Sequence, residues 1–410
     1  MVNIIRTIYR LTAYRLLGPF IDAIILFNIS YTVSAIFTYL TETRKLKAMP
    51  SIRKGFEDHR IDVGLIDNPE YTAIFKRIGD AYNKAKAEQK NIPEPYRVGI
   101  LWQRNLDDYC ADLITALHGE DVMQLQTLLQ NFHREKFSGG LQGAVDYFHM
   151  KEKPLHKYLF LNTWYKFYSM YQDVAGSRSK LTYPMVGNPV GLYHDGQVIP
   201  LDAIRFHASA IGALSLLEGI SKPVICEIGG GFGGQAHTIL SSSGSSITYI
   251  LLDIPEVLAV ASYFLMASLP EKRFLLYGEG PLYPEKFEQY DIILMPNFVL
   301  PKLGDETVDL FLNQASFSEM NSSTSQEYLS QIERICRRYF MHINHNKLFV
   351  WNEAGKEITN IPSTQLIPSP SRFKKMYQYP WLYTRPVEEI YYKGPESYFA
   401  FLYVRRSTVL

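Results

Sequence analysis

The most constraining feature of this sequence is an apolar run that ends in an acidic residue and a cluster of glycines. The run is VICEIGGGFGGQAHTIL, residues 224–240, and its acidic residue is Glu227. The glycines are Gly229, Gly230, Gly231, Gly233 and Gly234. Such glycines allow a strand to turn sharply into a helix and let the backbone approach a ligand, while the helix start offers unpaired amide donors. The segment therefore predicts a strand, a ligand-binding turn and a helix.

A second acidic residue follows at the spacing of a nucleoside-binding unit. Asp253 ends the run ITYILLDI, about 20 residues after the glycines. A carboxylate there accepts hydrogen bonds from both ribose hydroxyls. Dinucleotide enzymes and methyltransferases share this pair of features, but Glu227 would repel a pyrophosphate and suits the cationic amino group of a methionine. The pattern therefore favours S-adenosylmethionine as the cofactor.

The rest of the predicted cofactor site comes from residues that follow the ends of strands. Ile254 directly follows Asp253, Asn297 follows the run YDIILMP, and Gln314 ends the run VDLFLNQ. Ligands of open α/β sheets bind beyond the carboxyl ends of the strands. The predicted cofactor-binding residues are Glu227, Gly229, Gly230, Gly231, Gly233, Asp253, Ile254, Asn297 and Gln314.

The second half of the chain alternates β-type runs with helical stretches, which is typical of a parallel sheet wound with helices. The expected strands are VICEIG, ITYILLDI, RFLLYG, YDIILMP, VDLFLNQ, YFMHIN and YFAFLYVRR. Helices are expected between them, notably at 233–241, 256–267 and 325–337. The predicted fold is α/β, a Rossmann-like doubly wound sheet of the class I methyltransferase type with a mainly helical N-terminal region.

We predict three parts of the chain from these changes of pattern. Residues 1–60 form a hydrophobic and basic helical segment, 61–200 a helical cap or substrate region, and 201–410 the Rossmann-like domain. Within the second part, the aromatic stretch 158–171 is interpreted as helix-packing core. The tetrapeptide His-Asp-Gly-Gln at 194–197 predicts a tight hairpin turn, because Asp-Gly readily supplies positive backbone angles.

Charge and cysteine content limit the classes of function. The 42 Lys and Arg residues nearly balance the 41 Asp and Glu residues, so no overall field attracts nucleic acid. The three cysteines, Cys110, Cys226 and Cys336, are scattered and have no Cys-x-x-Cys spacing. That pattern disfavours a disulfide framework or zinc site and fits a reducing cytoplasm. No His, Asp and Glu cluster has convincing metal spacing, and no metal site is predicted.

The N-terminus is where a membrane must be considered. Residues 23–41 carry no charge, and their number is close to the minimum for a spanning helix. Six polar residues interrupt the stretch, and basic residues flank both of its ends. A spanning helix and a buried or interfacial amphipathic helix both remain open. We expect a cytoplasmic protein with a possible peripheral contact to the inner membrane face through residues 1–54.

Several segments together resemble the sugar O-methyltransferases of bacterial polysaccharide gene clusters. These segments are EIGGGFGGQA, LLDIPEVLAVASYFL, VDLFLNQASFSEM and YFMHINHN, with QNFHREKFSGGL (130–141) and GNPVG (187–191) upstream. The resemblance covers much of residues 125–350. It implies a Rossmann-like methyltransferase domain, S-adenosylmethionine as donor and a sugar hydroxyl as acceptor, in a sugar or a nucleotide- or lipid-linked glycan.

The catalytic base cannot be chosen from the sequence alone. A weakly acidic sugar hydroxyl benefits from a general base during in-line methyl transfer. Residues after VDLFLNQ and YFMHIN lie beyond strand ends, and the candidates there are Glu319 and His345. The predicted catalytic residues are therefore His345 and Glu319, with neither preferred.

Near the C-terminus, an aromatic and basic segment has two interpretations. It contains Arg372, Lys374, Tyr379, Trp381 and Tyr383. Such side chains suit a glycan with phosphate groups, but a loop packed over the sheet is the plainer interpretation.

Alternatives to sugar methylation are kept open at this stage. They are methyl transfer to another small molecule, a non-catalytic nucleotide-binding module of a glycan assembly complex and, more remotely, dinucleotide oxidoreduction. The intact set of Glu227, the glycines and Asp253 argues against a non-catalytic module, and no hydride-transfer partner is evident for oxidoreduction.

Overall fold

The computed structural model describes residues 54–60, 69–119, 122–142, 168, 171, 181–194, 196–353, 355–381 and 398–406. The helices of the first half are α1 (Pro69–Gln89), α2 (Ile100–Tyr109), α3 (Ala111–His118), α4 (Val122–Gln130) and α5 (Ser138–Gln142). Those of the second half are α6 (Leu201–Leu216), α7 (Gly234–Ser242), α8 (Pro255–Ser268) and α9 (Ser322–Ile335).

Twelve strands are present in the described part of the chain. The first six are β1 (Leu192–His194), β2 (Gln197–Ile199), β3 (Val224–Ile228), β4 (Thr248–Asp253), β5 (Phe274–Leu276) and β6 (Ile292–Pro296). The others are β7 (Val308–Gln314), β8 (Cys336–His345), β9 (Val350–Glu353), β10 (Lys356–Thr359), β11 (Phe373–Pro380) and β12 (Tyr398–Arg405).

Eight strands form one sheet, in the order β5-β6-β4-β3-β7-β8-β12-β11. From β5 to β8 all neighbours are parallel, whereas β12 is antiparallel to both β8 and β11. The first strand of this sheet in sequence, β3, is central, with β4, β6 and β5 on one side and β7, β8, β12 and β11 on the other. This is a class I methyltransferase arrangement with a short additional edge strand, β5. The predicted fold class is confirmed.

Side-chain alternation along the buried strands explains why helices cover both faces of the sheet. Ile225, Tyr249 and Leu251 belong to the core under α6, α7 and α8, while Cys226 and Ile250 belong to the core under α9. Successive residues of a strand point to opposite faces. Strands whose side chains are buried on both faces must therefore be covered by helices on both sides.

The N-terminal helices pack on one of these faces. Phe75 of α1 stacks on Tyr263 of α8 with ring centroids 5.6 Å apart. Lys86 of α1 forms an ion pair with the buried Glu256 of α8, with Nζ 2.8 Å from Oε1. The helical region and the sheet therefore share one hydrophobic core.

Three local predictions can be compared with the structure. β1 and β2 form the hairpin predicted around Gly196, whose φ is 84°. Of the aromatic stretch 158–171, the described residues Tyr168 and Tyr171 are buried, as expected for core. The interpretation of the aromatic and basic C-terminal segment as a loop was wrong for residues 373–380, which form β11, the edge strand of the large sheet. It was missed because most of its side chains are exposed, so apolar alternation is weak.

The predicted N-terminal hydrophobic segment, 23–41, lies outside the described residues. Within the part that the structure does describe, none of the helices combines the length and apolar character needed to cross a bilayer.

Candidate functional site

A cavity of about 370 Å³ opens at the carboxyl ends of β3, β4, β6 and β7. Its floor consists of residues that follow these strands, and its outer walls come from α2 and α5. Of the predicted site residues, the lining includes Glu227, Gly229, Gly230, Gly231, Asp253, Ile254, Asn297, Gln314 and Glu319. The lining does not include Gly233 or His345.

The glycine turn brings the backbone against neighbouring groups where a side chain could not fit. Gly229 has a φ of 70°, and a Cβ atom at this position would lie 2.2 Å from Oγ of Ser316. Gly231 has a φ of 57°, and its amide donates to Oδ2 of Asp253 at 2.9 Å. The turn therefore fixes the position of the Asp253 carboxylate directly.

Gly233 has a structural position rather than a place in the cavity wall. It is the N-cap of α7 with a φ of 89°, and a Cβ atom there would lie 3.0 Å from the Leu265 side chain. Glycine at this position permits the left-handed conformation and close packing of α7 on α8.

Glu227 places a buried carboxyl group in the cavity floor. Its side chain is 2% exposed, and the Tyr249 hydroxyl donates to its Oε2 at 2.8 Å. Burial raises the pKa of Glu227 to about 7, the Tyr249 hydrogen bond opposes this, and the negative charge of Asp253 adds to it. A cationic group in the cavity would stabilise the ionised form.

Arg205 supplies a positive charge that acts on this acid. Its guanidinium is 11% exposed, and Nη2 lies 3.3 Å from Oδ1 of Asp202 on the same helix. Its Nε has no hydrogen-bond partner among the described residues. The positive charge lowers the pKa of Glu227, so the two side chains influence each other across the lining. An anionic ligand group would satisfy the buried Nε donor.

Both oxygens of Asp253 accept backbone hydrogen bonds. Oδ1 accepts from the amide of Ile254 at 2.8 Å, and Oδ2 accepts from Gly231 at 2.9 Å. Burial raises the pKa of Asp253 to about 7 in spite of these two bonds. Each carboxylate oxygen has a further lone pair, so the group still has capacity for two ribose hydroxyls.

Two side-chain amides in the lining have unused hydrogen-bonding capacity. Nδ2 of Asn297 donates to the Tyr96 carbonyl at 2.9 Å and contacts the Tyr328 hydroxyl at 2.8 Å. This orients Oδ1, which has no partner among the described residues. Gln314 lacks described partners at both Oε1 and Nε2. Buried amides without partners are rare, so these atoms mark positions where a ligand would bond.

Glu319 lies on the outer side of the same cavity, in a short 3₁₀ helix, Phe317–Glu319. The indole Nε1 of Trp102, on α2, donates to its Oε2 at 3.2 Å. The carboxylate is therefore oriented by a residue from the helical region.

A network of buried amides holds this 3₁₀ helix in place. Nδ2 of Asn344 donates to Oδ1 of Asn313 at 2.8 Å, and Oδ1 of Asn344 accepts from the Ser318 amide at 3.2 Å. Nδ2 of Asn360 donates to the Ser318 carbonyl at 2.9 Å. Asn313 in turn donates to the carbonyl of Ile228, at the start of the glycine turn, at 2.8 Å. The network therefore joins the Glu319 segment to the glycine turn.

His345, the other candidate base predicted from the sequence, is not part of the cavity lining. Its side chain is 3% exposed and packs edge-on against Tyr398, which does line the cavity. Burial, with a smaller effect of Lys347, lowers the pKa of His345 to about 4. The last residues of β8 alternate between faces, and His345 points away from the 3₁₀ helix that Asn344 contacts.

Several lining residues were not predicted from the sequence as site residues. They are Arg97, Trp102, Asn105 and Tyr109 from the region of α2, and Gly139 and Leu141 of α5. Of the C-terminal candidates, Arg372, Lys374, Tyr379 and Trp381 are not in the lining, and Tyr383 lies outside the described residues. Residues 130–141 carried a sequence signal through the family resemblance, whereas α2 carried none.

No group of three or more His, Cys, Asp or Glu side chains in the described ranges is arranged to hold a metal ion.

One family model matches the part of the chain that forms most of the cavity floor. Residues 205–317 match the model of the O-methyltransferase domain. The matched segment begins at Arg205 and includes Glu227, Asp253, Asn297 and Gln314. No curated protein matches the sequence.

Solved structures similar to this chain include two methyltransferases and a protein whose activity its description does not state. The glycopeptide N-methyltransferase MtfA in complex with S-adenosylmethionine is 11% identical, with 49% of this chain and 94% of that chain covered and a TM-score of 0.32. Geranyl diphosphate C-methyltransferase from Streptomyces coelicolor A3(2) is 11% identical, with 48% and 78% covered and a TM-score of 0.33. The PH0226 protein from Pyrococcus horikoshii OT3 is 10% identical, with 50% and 92% covered and a TM-score of 0.33.

Proposed function

We propose that this chain, whose residues 205–317 match the O-methyltransferase domain, is an S-adenosylmethionine-dependent methyltransferase that methylates a sugar hydroxyl in glycan or polysaccharide biosynthesis. The observation that carries the proposal is the Glu319 carboxylate, oriented by the Trp102 indole at 3.2 Å. Both groups line the cavity that contains Glu227 and Asp253. An aromatic face suits the C–H surface of a sugar, and a neighbouring carboxylate suits its hydroxyls.

The residues present fit the chemistry of the cofactor. Glu227 would accept hydrogen bonds from the cationic amino group, and Arg205 would pair with the carboxylate of the same methionine unit. Asp253 would accept from the ribose hydroxyls, and Oδ1 of Asn297, which has no partner among the described residues, would accept from the adenine amino group. When bound, S-adenosylmethionine supplies a methyl group activated by its positively charged sulfur.

The acceptor side of the cavity carries out the proton transfer. A bound cofactor would supply its methyl group to the acceptor oxygen, and the electron pair of the broken carbon–sulfur bond would remain on sulfur. Glu319 accepts the proton that the hydroxyl loses. The walls formed by α2 and α5 exclude water from this side and orient the sugar.

The acceptor is proposed to be a nucleotide- or lipid-linked glycan on the cytoplasmic side of a membrane. The support is the uncharged run 23–41 and its basic flanks, which suit peripheral binding to anionic lipid. Flotation with phosphatidylglycerol vesicles and with phosphatidylcholine vesicles tests this. We expect binding to the former that high salt reverses, and no binding to phosphatidylglycerol would contradict the proposal.

The acceptor and the base are tested together by turnover with methyl-labelled S-adenosylmethionine and a panel of nucleotide-linked sugars. We expect label in a sugar ether and equal formation of S-adenosylhomocysteine. Glu319→Gln keeps an acceptor for Trp102 but cannot take the proton, so kcat should fall by about 10²–10⁴-fold. Affinity for S-adenosylhomocysteine should stay unchanged.

A matched control is Glu327→Gln on α9, since Glu327 accepts from the Tyr96 hydroxyl at 2.8 Å and is outside the cavity lining. We expect near-normal turnover from it. Full activity of Glu319→Gln would remove Glu319 as the base. Binding of S-adenosylhomocysteine without turnover on any sugar would instead direct the search to another class of small-molecule acceptor.

A further inference from the structure

The two upstream motifs of the sequence, QNFHREKFSGGL and GNPVG, meet around one buried guanidinium. Arg134 is 4% exposed, and its Nε donates to the carbonyl oxygen of Asn188 at 3.0 Å and to its Oδ1 at 2.9 Å. Its Nη2 donates to the Pro189 carbonyl at 3.2 Å. A guanidinium presents five donors in a fixed plane, so it holds these carbonyls in one arrangement.

The same guanidinium also holds a third segment, residues 54–60. Arg134 donates to the carbonyl of Phe56 at 3.3 Å and to that of Glu57. Asp58 provides a nearby negative charge and accepts from Nδ2 of Asn188 at 2.6 Å. We call Asp58, Arg134 and Asn188 the Arg134 clasp. It joins three pieces of chain that are far apart in sequence.

The backbone at the clasp adopts a conformation that requires support. Asn188 has a φ of 57°, in the left-handed region. The preceding Gly187 lies so close to Phe132 that a Cβ atom would be 2.1 Å from its ring. Such backbone persists where surrounding contacts determine it, and it clusters at functional sites.

The clasp is connected to the cofactor cavity by ring contacts and by the chain that leads into α5. Phe132 and His133 each pack against Phe232, next to Gly231, with ring centroids 5.5 Å apart in both pairs. After Arg134, the chain continues into α5, where Gly139 and Leu141 line the cavity. The Leu141 carbonyl lies 3.9 Å from the position of a Cβ atom on Gly231.

We propose that Arg134 and Asn188 are positioning residues for S-adenosylmethionine, although neither lines the cavity. The clasp holds residues 131–142 against the glycine turn, so that α5 and Gly231 form one preorganised wall for the cofactor. Loosening the clasp costs cofactor affinity because the wall must then be ordered by the ligand itself. Residues 54–60 take part in this arrangement through their bonds to Arg134.

The test is titration of full-length variants with S-adenosylhomocysteine, with thermal melting of each. Arg134→Lys keeps the charge but loses the planar fork. Asn188→Gly keeps the left-handed backbone but loses the side-chain bonds. The control is Asp309→Asn. Asp309 is 0% exposed and accepts from Arg337, Arg338 and the amide of Val224, at the end of β3 remote from the cavity.

We expect both clasp variants to raise the Kd by about tenfold, which corresponds to ~1.4 kcal/mol, while Asp309→Asn lowers the Tm without changing the Kd. Wild-type Kd values in both clasp variants, even with a lower Tm, would overturn the proposal and leave the clasp as a stability element. An equal rise in Kd for Asp309→Asn would also overturn it, because general destabilisation would then explain the effect.

Discussion

Two buried carboxyl groups share the floor of the cavity, and each has its pKa raised from its ordinary value to about 7. In both Glu227 and Asp253 burial is the largest cause; the negative charge of Asp253 further raises the pKa of Glu227, and that of Glu256 further raises the pKa of Asp253. A ligand with a cationic amino group and two hydroxyl donors favours the ionised form of both. Ligand binding and proton release are therefore linked at this site.

The affinity for S-adenosylhomocysteine should consequently rise as the pH increases from 6 to 8. Below pH 7 the ligand must displace protons from Glu227 and Asp253, and above it the carboxylates are already ionised. Titration calorimetry in buffers of different ionisation enthalpy should detect proton release near pH 6.5. Glu227→Gln should bind more weakly and release fewer protons. Proton release equal to that of the wild type would contradict the role of Glu227.

The free protein should show the opposite trend in stability. The pKa of Glu227 is higher in the folded than in the unfolded protein. Its contribution to the free energy of unfolding is therefore fully present below about pH 4.5 and is lost as the pH rises through about 7. This rise in pKa corresponds to a decrease of at most roughly 3 kcal/mol in the free energy of unfolding between low and high pH. Glu227→Gln should therefore melt at a higher temperature than the wild type at pH 8 and not at pH 5. Equal melting temperatures at pH 8 would argue against a buried charge.

The sequence predicted those site residues whose chemistry follows from local order along the chain. Glu227, Gly231 and Asp253 stand at fixed places relative to their strands, and all three line the cavity. Arg205 and Trp102 are also in the lining, but their place depends on how helices pack on the sheet. No local pattern specifies that packing, so the sequence gives Trp102 no sign of a functional position.

At the scale of elements, the carboxyl end of β8 decides which candidate base faces the cavity. Side chains alternate along the strand, so Asn344 contacts Ser318 while His345 packs behind Tyr398. A one-residue error in the expected register of a strand assigns each of its side chains to the opposite face of the sheet. The sequence could place both residues after the strand but could not determine which way each one points.

Asn344→Ala should lower kcat and leave the affinity for S-adenosylhomocysteine nearly unchanged. The variant removes the bonds to Asn313 and Ser318, so the 3₁₀ helix that carries Glu319 loses its fixed position. Misplacement of a reacting group by about 1 Å costs on the order of 10²-fold in rate. The matched control is Asn346→Ala, two residues further along the chain. Oδ1 of Asn346 accepts from the Thr364 amide at 3.0 Å and takes no part in this network. An equal loss of kcat in both variants would contradict the positioning role.

At the scale of the whole molecule, the functional site exists only where the helical region meets the sheet. The floor of the cavity belongs to the Rossmann-like part, but Trp102 and Leu141 come from α2 and α5. The alternation of strands and helices was sufficient to predict the sheet and the edge at which the cavity opens. It was not sufficient to predict which helices close that edge, since contacts between distant segments depend on the complete packed chain.

The ion pair between Lys86 of α1 and Glu256 of α8 should stabilise the packing of the helical region on the Rossmann-like part. Glu256 is 2% exposed, and the Lys86 side chain is 26% exposed. Lys86→Met leaves a buried carboxylate without its cation and should lower the free energy of unfolding by about 3 kcal/mol. Lys86→Met with Glu256→Leu should recover much of that loss, because neither charge then remains buried. Chemical denaturation measures both variants, and an unrecovered loss in the double variant would show that shape, rather than charge, joins the two helices.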